Sequence, residues 1–471
     1  MSKADIGLIG LAVMGENLVI NMESKGFTVA VYNRSTGKVK DFVEGRAKSR
    51  NIIGTYSIPE LVASLKKPRK VMMMVKAGPA VDELIDTLLP YLDPGDILID
   101  GGNSHFPDTI RRTAYVEGKG FLYIGTGVSG GEEGALLGPS IMPGGSPEAW
   151  PAVRPIFQAI AAKVEDGTPC CSWVGKNGAG HFVKMVHNGI EYGDMELIAE
   201  TYHVLKHVGQ RTNAQLASLF DRYNRGPLDS YLIQITADIF KTKDDLGNGD
   251  LVDVILDTAG QKGTGLWTSK EALDLGVNIS VITAAVNARL ISADRPLRSA
   301  AQVLLPQSPL AITTPENLDD LVEKALYAAK VISYAQGFDL LAKAQKAYGW
   351  TLDFQAIAKL FRGGCIIRAK FLNQIAKAFD NKDLPNLLLD PFFAEVMREG
   401  VAAMRQIVTL GLSAGVPMPA FGAALSYYDA FRSTALSTNL IQAQRDYFGA
   451  HTYQRTDREG AFHYEHWGKH D

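Results

Sequence analysis

The spacing of hydrophobic positions changes about a third of the way along the chain. Short apolar runs at residues 5–9, 28–32, 70–75 and 96–100 have the length of buried strands and alternate with helical patterns. From about residue 178 the helical period dominates, with long segments predicted at 184–208, 228–241, 279–294, 316–349, 354–378 and 390–414. We therefore predict an α/β domain over residues 1–177, a large all-α domain over 178–436, and a C-terminal tail over 437–471.

A glycine motif directly follows the first predicted strand and precedes a helix at 16–25. It consists of Gly10, Leu11, Ala12, Val13, Met14 and Gly15. A strand, a glycine turn and a helix in this order present backbone N–H groups and a helix N-terminus to a pyrophosphate. An ordinary turn is the alternative, because Ala12 replaces the middle glycine of the usual fingerprint. The position at the start of a βαβ unit favours a Rossmann-type dinucleotide-binding domain.

The end of the second strand bears on which dinucleotide binds. Asn33, Arg34 and Ser35 lie about 20 residues after the glycines, where NAD enzymes usually have an acidic residue for the ribose hydroxyls. A cation and a small hydroxyl suit a 2′-phosphate, which predicts NADP over NAD; an ordinary exposed arginine is the alternative. Ligands of parallel sheets gather at the carboxyl ends of strands. The cofactor neighbours expected there are Val75, Lys76, Ala77 and Asn103.

Residues 125–145 contain eight glycines in 21 positions. Such density lets backbone amides approach a ligand closely and point at an anion, and a carboxylate is the group expected. Ser129, Gly130 and Gly131 form the tightest cluster and are predicted to make the contact. A flexible linker is the alternative, but interleaved apolar residues favour an ordered loop packed on a core.

One predicted helix carries a set of groups suited to catalysis. They are Lys184, His187, Asn188, Glu191 and Tyr192. At about 100° per residue, Lys184 and Glu191 fall within roughly 20° of each other and the others flank them. The opposite stripe, which includes Val183 and Val186, has the spacing of a core-facing side. The face is therefore either a solvated helix surface or part of an active site.

Two more basic residues and the tail complete the candidates. Lys262 is framed by glycines, as in anion-binding loops, and Arg289 lies in a predicted helix. The tail is rich in aromatic residues and histidines, including Tyr447 and Phe448. We therefore expect its apolar side chains to pack against another protein surface, with a second subunit as one option.

Charge, cysteine content and the length of apolar runs indicate which partners and which compartment to expect. The formal net charge of −3 gives no reason to expect nucleic acid or an anionic membrane as a partner. The three cysteines leave no metal-ligand spacing, so no metal is expected, and they fit a reduced cytosol. No apolar run approaches the roughly 20 residues needed to span a bilayer, and we expect a soluble cytoplasmic protein.

The motifs together resemble those of decarboxylating 6-phosphogluconate dehydrogenases over the whole chain. The matching stretches are residues 10–15, 33–35, 75–78, 101–103, 127–134, 184–192 and 444–451. The resemblance implies that 6-phospho-D-gluconate and NADP give ribulose 5-phosphate, carbon dioxide and NADPH, in the oxidative pentose phosphate pathway. It further implies a homodimer whose active site is shared between subunits.

The resemblance also implies roles for individual residues. Lys184 would be the general base at the C3 hydroxyl and needs a lowered pKa; Glu191 would be the general acid at C1 and needs a raised one. The substrate's carboxylate and hydroxyls would meet Asn103, Ser129, Gly130, Gly131, His187 and Asn188. Its phosphate would meet Tyr192, Lys262 and Arg289, joined by Arg445 and His451 from the partner subunit.

Two positions depart from the family's pattern, and two other functions stay open. Leu266 stands where a basic residue is frequent, and Asn287 where an aromatic residue is frequent, which leaves substrate affinity less certain than reaction type. A β-hydroxyacid dehydrogenase without decarboxylation would not need all four basic residues at the phosphate. A non-enzymatic NADPH-binding protein would leave the polar face of the helix at 184–192 unexplained.

Overall fold

The computed structural model describes residues 3–468 and contains a twisted sheet in its first third. The strands found in this described part are β1 (Ile6–Ile9), β2 (Val29–Tyr32), β3 (Ile52–Gly54), β4 (Lys70–Met73), β5 (Ile97–Asp100), β6 (Leu122–Ser129), β7 (Ser140–Gly145) and β8 (Gly175–Lys176). They pair in the order β3-β2-β1-β4-β5-β6-β7-β8. The first six run parallel, β7 is antiparallel to β6, and β8 is parallel to β7.

Helices cover both faces of this sheet. They are α1 (Val13–Ser24), α2 (Thr36–Glu44), α3 (Ile58–Ala63), α4 (Pro79–Leu88), α5 (Phe106–Glu117), α6 (Gly131–Leu137) and α7 (Trp150–Ile160). Side chains alternate across the strands, so Met72 belongs to one core cluster whereas Val71 and Met73 belong to the other. The strand order of the sheet reverses between β1 and β4. At this switch point a crevice lies outside the carboxyl ends of the strands. The predicted Rossmann-type domain is confirmed.

The residues that follow the sheet domain are mainly helical, as predicted. The helices are α8 (Ala179–His207), α9 (Asn213–Tyr223), α10 (Tyr231–Lys241), α11 (Thr264–Asp274), α12 (Ser280–Ala293), α13 (Arg295–Leu304), α14 (Leu318–Tyr348), α15 (Phe354–Leu360), α16 (Leu372–Ala378) and α17 (Pro391–Ser413). The two longest, α8 and α14, pack against each other, and α8 also packs on β6 and β7. This contact places α8 next to the carboxyl end of the sheet.

Two sequence predictions of local structure were wrong. Residues 354–378 are not one helix: α15 and α16 are separated by a turn that contains Gly363 and Gly364. The stretch 125–145 is not a loop, because it contributes the end of β6, the whole of α6 and β7. In both places tertiary contacts decide the backbone, and the glycines permit close approach between segments.

The chain divides into two compact units, Met1–Ala424 and Leu425–Asp471, with the boundary inside α18 (Pro419–Phe431). The second unit contains α19 (Thr438–Gly449) and is organised around the buried carboxylate of Asp446. That carboxylate accepts hydrogen bonds from the backbone of Thr452 and Tyr464 and from the Trp467 indole, 2.9 to 3.0 Å away. The predicted boundaries after residues 177 and 436 stay predictions.

Among the described residues, none of the helices is both long and apolar enough to cross a membrane.

Candidate active site

The glycine motif forms the floor of the crevice between β1 and β4. The backbone N–H of Gly10 donates to the carbonyl of Tyr32, at 3.0 Å, and Gly10 has a φ of 107°. A Cβ there would collide with the backbone carbonyl of Met74, so only glycine lets the two strand ends approach so closely. The backbone N–H of Leu11 donates to the Asn33 side chain at 3.0 Å, which ties the motif to the end of β2.

A cavity of about 520 Å³ opens above this floor. The sequence candidates that line it are Gly10, Leu11, Ala12, Asn33, Arg34, Ser35, Val75 and Lys76. Lys38 on α2 also lines the cavity and was missed from the sequence, where it is simply a charged residue in a helical pattern. The side chains of Arg34 and Lys38 are exposed, and neither makes a hydrogen bond or ion pair to another described residue. Two free cations therefore stand at the position predicted for a 2′-phosphate.

The remaining cofactor candidates do not line this cavity. Val13, Met14 and Gly15 form the first turn of α1, whose N-terminus is capped by Ala12 without a side-chain hydrogen bond. Free N–H groups at a helix start are suited to an anion. Ala77 precedes α4, and Asn103 is an exposed residue in the turn after β5.

The polar face of α8 is buried rather than solvated. Lys184 is 6% exposed, His187 is fully buried, and Glu191 is partly buried. The opposite stripe is in the core, as its spacing predicted, with Val183 and Val186 fully buried. Lys184 passes directly over Gly127 of β6, where any Cβ would collide with the lysine stem. The helix thus brings its polar groups against the end of the sheet.

Burial shifts the two main titratable groups in opposite directions. It lowers the pKa of Lys184, while the neighbouring negative charge of Glu191 acts against this. Burial raises the pKa of Glu191, against the positive charges of Lys184 and Arg289. Within the described residues, no hydrogen bond reaches the Lys184 ammonium. A neutral amine and a protonated carboxyl are what these environments favour.

His187 and Asn188 extend the polar surface of α8 toward the turn at residues 129–131. The His187 ring lies 3.4 Å from the Ser129 hydroxyl through Nε2 and 3.1 Å from the Asn188 side chain through Nδ1. Burial, together with the charge of Lys184, holds the pKa of His187 well below its usual value. Asn188 also donates to Thr264 at the start of α11, at 3.3 Å, a residue that the sequence analysis did not select.

The turn formed by Ser129, Gly130 and Gly131 is held by the loop between α15 and α16. A Cβ on Gly130 would lie 2.6 Å from the carbonyl oxygen of Gly364, and its φ of 110° also favours glycine. The ring of Phe361 packs on His187 with centroids 5.1 Å apart. Cys365, whose pKa burial raises to about 12, lies near Lys184. One signal for this loop is visible in the sequence, a Gly-Gly pair inside a predicted helix.

Basic residues gather at the other end of the face. The guanidinium of Arg289 lies over the Tyr192 ring, 3.5 Å from its centroid, and donates to the Gly260 carbonyl at 3.3 Å. Lys262 is exposed in the segment that leads into α11. The two departures from the family pattern, Leu266 on α11 and Asn287 on α12, are both solvent-exposed.

Arg445 and His451 belong to the second unit and are exposed there. Arg445 donates to the Gln442 side chain at 3.1 Å, and the His451 ring contacts Phe448 with centroids 5.9 Å apart. Tyr447 and Phe448 are 58% and 72% exposed, so much of the tail's apolar surface is uncovered in the single chain.

Comparison with known proteins decides the family. Residues 5–175 match the family model of the NAD binding domain of 6-phosphogluconate dehydrogenase, and residues 180–467 match the model of its C-terminal domain. The chain belongs to the 6-phosphogluconate dehydrogenase family.

Individual members of the 6-phosphogluconate dehydrogenase family agree along nearly the whole chain. The NADP(+)-dependent, decarboxylating 6-phosphogluconate dehydrogenase of Bacillus subtilis is 56% identical, over 99% of both chains. The decarboxylating enzyme of Rattus norvegicus is 52% identical, over 100% of this chain and 98% of its own. A solved 6-phosphogluconate dehydrogenase from Plasmodium falciparum, studied in apo form and in complex with NADP+ and 6-phosphogluconate, superposes with a TM-score of 0.95. It is 45% identical and covers 98% of this chain and 100% of its own.

Proposed function

We propose that the chain catalyses the oxidative decarboxylation of 6-phospho-D-gluconate to D-ribulose 5-phosphate and carbon dioxide, with reduction of NADP, in the oxidative pentose phosphate pathway. The observation that carries the proposal is the buried Lys184 beside Glu191 on one face of α8, with pKa values shifted in opposite directions. The names of relatives that are more than 50% identical support the same reaction.

The crevice between β1 and β4 fits NADP. The Gly10–Gly15 turn and the first turn of α1 would hold the pyrophosphate, and Arg34 with Ser35 would hold the 2′-phosphate. Val75, Lys76, Ala77 and Asn103 would flank the cofactor at the ends of β4 and β5. When bound, NADP supplies the acceptor for the hydride from C3 of the substrate.

Lys184 acts first as the base. A neutral amine at Nζ takes the proton of the C3 hydroxyl as the C3 hydrogen leaves as hydride, so that a 3-keto acid forms. The lowered pKa makes the neutral form accessible. The resulting ammonium then lies beside the new carbonyl oxygen. It stabilises the negative charge that develops there when the C1–C2 bond breaks and carbon dioxide leaves.

Glu191 completes the reaction as the acid. The electron pair from the broken bond forms an enediol between C2 and C3, and Glu191 protonates the carbon that becomes C1 of ribulose 5-phosphate. A carboxyl group held protonated by burial is suited to this step. Lys184 gives its proton to the C3 oxygen as the enediol forms and takes a proton back as the C3 carbonyl re-forms. It therefore ends with the proton removed from the C3 hydroxyl, and that proton can restore the one that Glu191 donated.

Substrate binding is assigned in two groups. The carboxylate and hydroxyls would meet Asn103, Ser129, Gly130, Gly131, His187 and Asn188, whose backbone amides and side chains offer suitable donors and acceptors. The phosphate would meet Tyr192, Lys262 and Arg289, with the partner subunit's Arg445 and the partner subunit's His451. The stacked and hydrogen-bonded guanidinium of Arg289 supports this second assignment.

The assignment of the tail implies a homodimer with a shared site, and the three free cysteines support a cytoplasmic location. In the homodimer, residues 1–177 bind NADP, residues 178–436 form the substrate and dimerisation domain, and residues 437–471 reach the other subunit. The exposed aromatic rings of Tyr447 and Phe448 support a tail that is covered only in an assembly.

The test is one assay with two readouts. Purified protein is mixed with 6-phosphogluconate and either NADP or NAD, and absorbance of the reduced nicotinamide is followed while carbon dioxide is trapped. Equal amounts of NADPH and carbon dioxide are expected. Reduction without carbon dioxide would replace the proposal with a plain β-hydroxyacid dehydrogenase, and no reduction with either cofactor would contradict enzymatic function.

A further inference from the structure

His181 lies on α8 one turn before Lys184 and has no role in the proposed reaction. Its side chain is 1% exposed, and both ring nitrogens have partners outside α8. Nε2 lies 3.0 Å from the carbonyl oxygen of Gly102, and Nδ1 lies 2.7 Å from the hydroxyl of Thr109. The ring therefore connects the catalytic helix to the turn after β5 and to α5.

The carbonyl partner determines which nitrogen of this ring must carry a proton. A carbonyl oxygen can only accept, so Nε2 of His181 carries the proton and donates to Gly102. Nδ1 then accepts from the hydroxyl of Thr109. Burial lowers the pKa of His181, which favours this neutral form over the imidazolium. Both nitrogens are satisfied, and rotation of the ring would break both bonds.

The turn that His181 contacts is the one that carries Asn103. From the sheet side, Asp100 accepts from the Gly102 backbone N–H at 3.1 Å and from the Ser104 hydroxyl at 2.6 Å. From the helix side, His181 donates to the Gly102 carbonyl. No hydrogen bond from a described residue holds the Asn103 side chain itself, so the position of its backbone is what aims it.

A buried arginine connects Asp100 to the segment that begins α4, after β4. Arg112, a fully buried guanidinium on α5, lies 3.6 Å from the Asp100 carboxylate. The same guanidinium forms a two-point ion pair with Asp82 on α4 and donates to the carbonyl of Gly78, at 2.8 to 2.9 Å. The turns after β4 and β5 are therefore linked to each other, and His181 links them to α8.

We infer that His181 is a positioning residue that holds Asn103 in register with Lys184, through the hydrogen bond from Nε2 to the Gly102 carbonyl. The inference rests on the proposed function, because it gives Asn103 a place beside the substrate and cofactor. His181 touches neither of them and acts through the turn. It couples the cofactor-binding sheet to the catalytic helix at a point where their relative position sets the geometry of hydride loss from C3.

Two substitutions of similar size separate the two hydrogen bonds of this ring. His181→Gln can place an amide N–H where Nε2 stands and so keeps the bond to Gly102, whereas His181→Asn reaches only toward Thr109. Both leave a polar side chain in the same pocket and each loses one hydrogen bond, so similar losses of thermal stability are expected. We expect His181→Gln to keep kcat/KM for 6-phosphogluconate within a few-fold, and His181→Asn to lose about 10- to 100-fold.

A double-mutant cycle then tests whether the effect passes through Asn103. In the Asn103→Ala background, His181→Asn should cost less than about 3-fold, since the side chain it positions is gone. Equal losses in both backgrounds, or a greater loss for His181→Gln than for His181→Asn, would reduce His181 to a structural residue. These outcomes require that the unsubstituted protein forms NADPH and carbon dioxide together; if it does not, the proposed function fails first and this inference falls with it.

Discussion

Burial of Lys184 and Glu191 on the same helix face shifts their two pKa values in opposite directions. Desolvation disfavours charge on both groups, so it lowers the pKa of the amine and raises the pKa of the carboxyl. Their mutual attraction opposes both shifts without reversing them. Each pKa is thus shifted in the direction that the proposed role requires, toward a neutral base and a protonated acid, before substrate binds.

Activity should therefore show a bell-shaped dependence on pH. It should rise as Lys184 loses its proton below the usual lysine pKa, and fall as Glu191 loses its proton above the usual glutamate pKa. In Glu191→Gln, turnover should fall by about 10²- to 10⁴-fold and the alkaline fall should disappear from the residual kcat/KM profile.

Glu271→Gln is the matched control for this profile, because burial also raises the pKa of Glu271 on α11, where it accepts from the Tyr348 hydroxyl at 2.6 Å. This variant should keep both limbs. An alkaline limb that persists in Glu191→Gln would mean that another group is the acid.

Cofactor preference is the second property decided by single residues. Arg34→Asp should weaken NADP binding by about 10- to 100-fold and improve use of NAD, because a charge-assisted contact to the 2′-phosphate is replaced by repulsion. Kinetic constants for both cofactors measure this. Lys48→Asp makes the same change in charge at an exposed position that does not line the cavity and should leave the preference unchanged. An unchanged NADP/NAD ratio in Arg34→Asp would assign the 2′-phosphate to other groups, with Lys38 first among them.

At the scale of elements, the sequence predicted regular structure better than the turns between it. The βαβ order and α8 follow from apolar periodicity, and a fixed 100° step was enough to put Lys184 beside Glu191. The loop between α15 and α16 could not be found in this way. Phe361 and Cys365 reach the site only because Gly364 contacts residues far away in sequence, and periodicity contains no information about such contacts. Thr264 was missed for the same reason, whereas Lys38 was missed because it is simply a charged residue in a helical pattern.

The turn between α15 and α16 can be tested through its glycine. Gly364→Ala should destabilise the protein by about 2–4 kcal/mol, because the new methyl would meet the Gly138 carbonyl and, at 2.7 Å, the Cβ of Ala162. Gly349→Ala has nearly the same φ, 65° against 62°, but opens into free space at the end of α14. It should lose only the cost of a left-handed backbone, about 1–2 kcal/mol. Equal midpoints of thermal unfolding for the two variants would show that the turn is not tightly packed.

At the scale of the whole molecule, the proposal divides each phosphate site between two chains. Three of the residues assigned to the phosphate are exposed in the single chain: Lys262 in the first unit, and Arg445 and His451 in the second. The second unit has its own internal order around Asp446, so it can present these two side chains as a preformed surface. A symmetric dimer would then form two equivalent sites, each with groups from both subunits.

Mixing two inactive variants distinguishes a shared site from a self-contained one. Lys184→Met and Arg445→Glu should each be inactive as homodimers. After the two are denatured and refolded together, or produced in one cell, the mixed dimer has one site with both groups replaced and one site with neither. Random pairing should therefore restore about a quarter of the normal activity if Arg445 acts across the interface. If Arg445 served the site of its own chain, every site would lack one essential group, and the mixture would stay as inactive as its components.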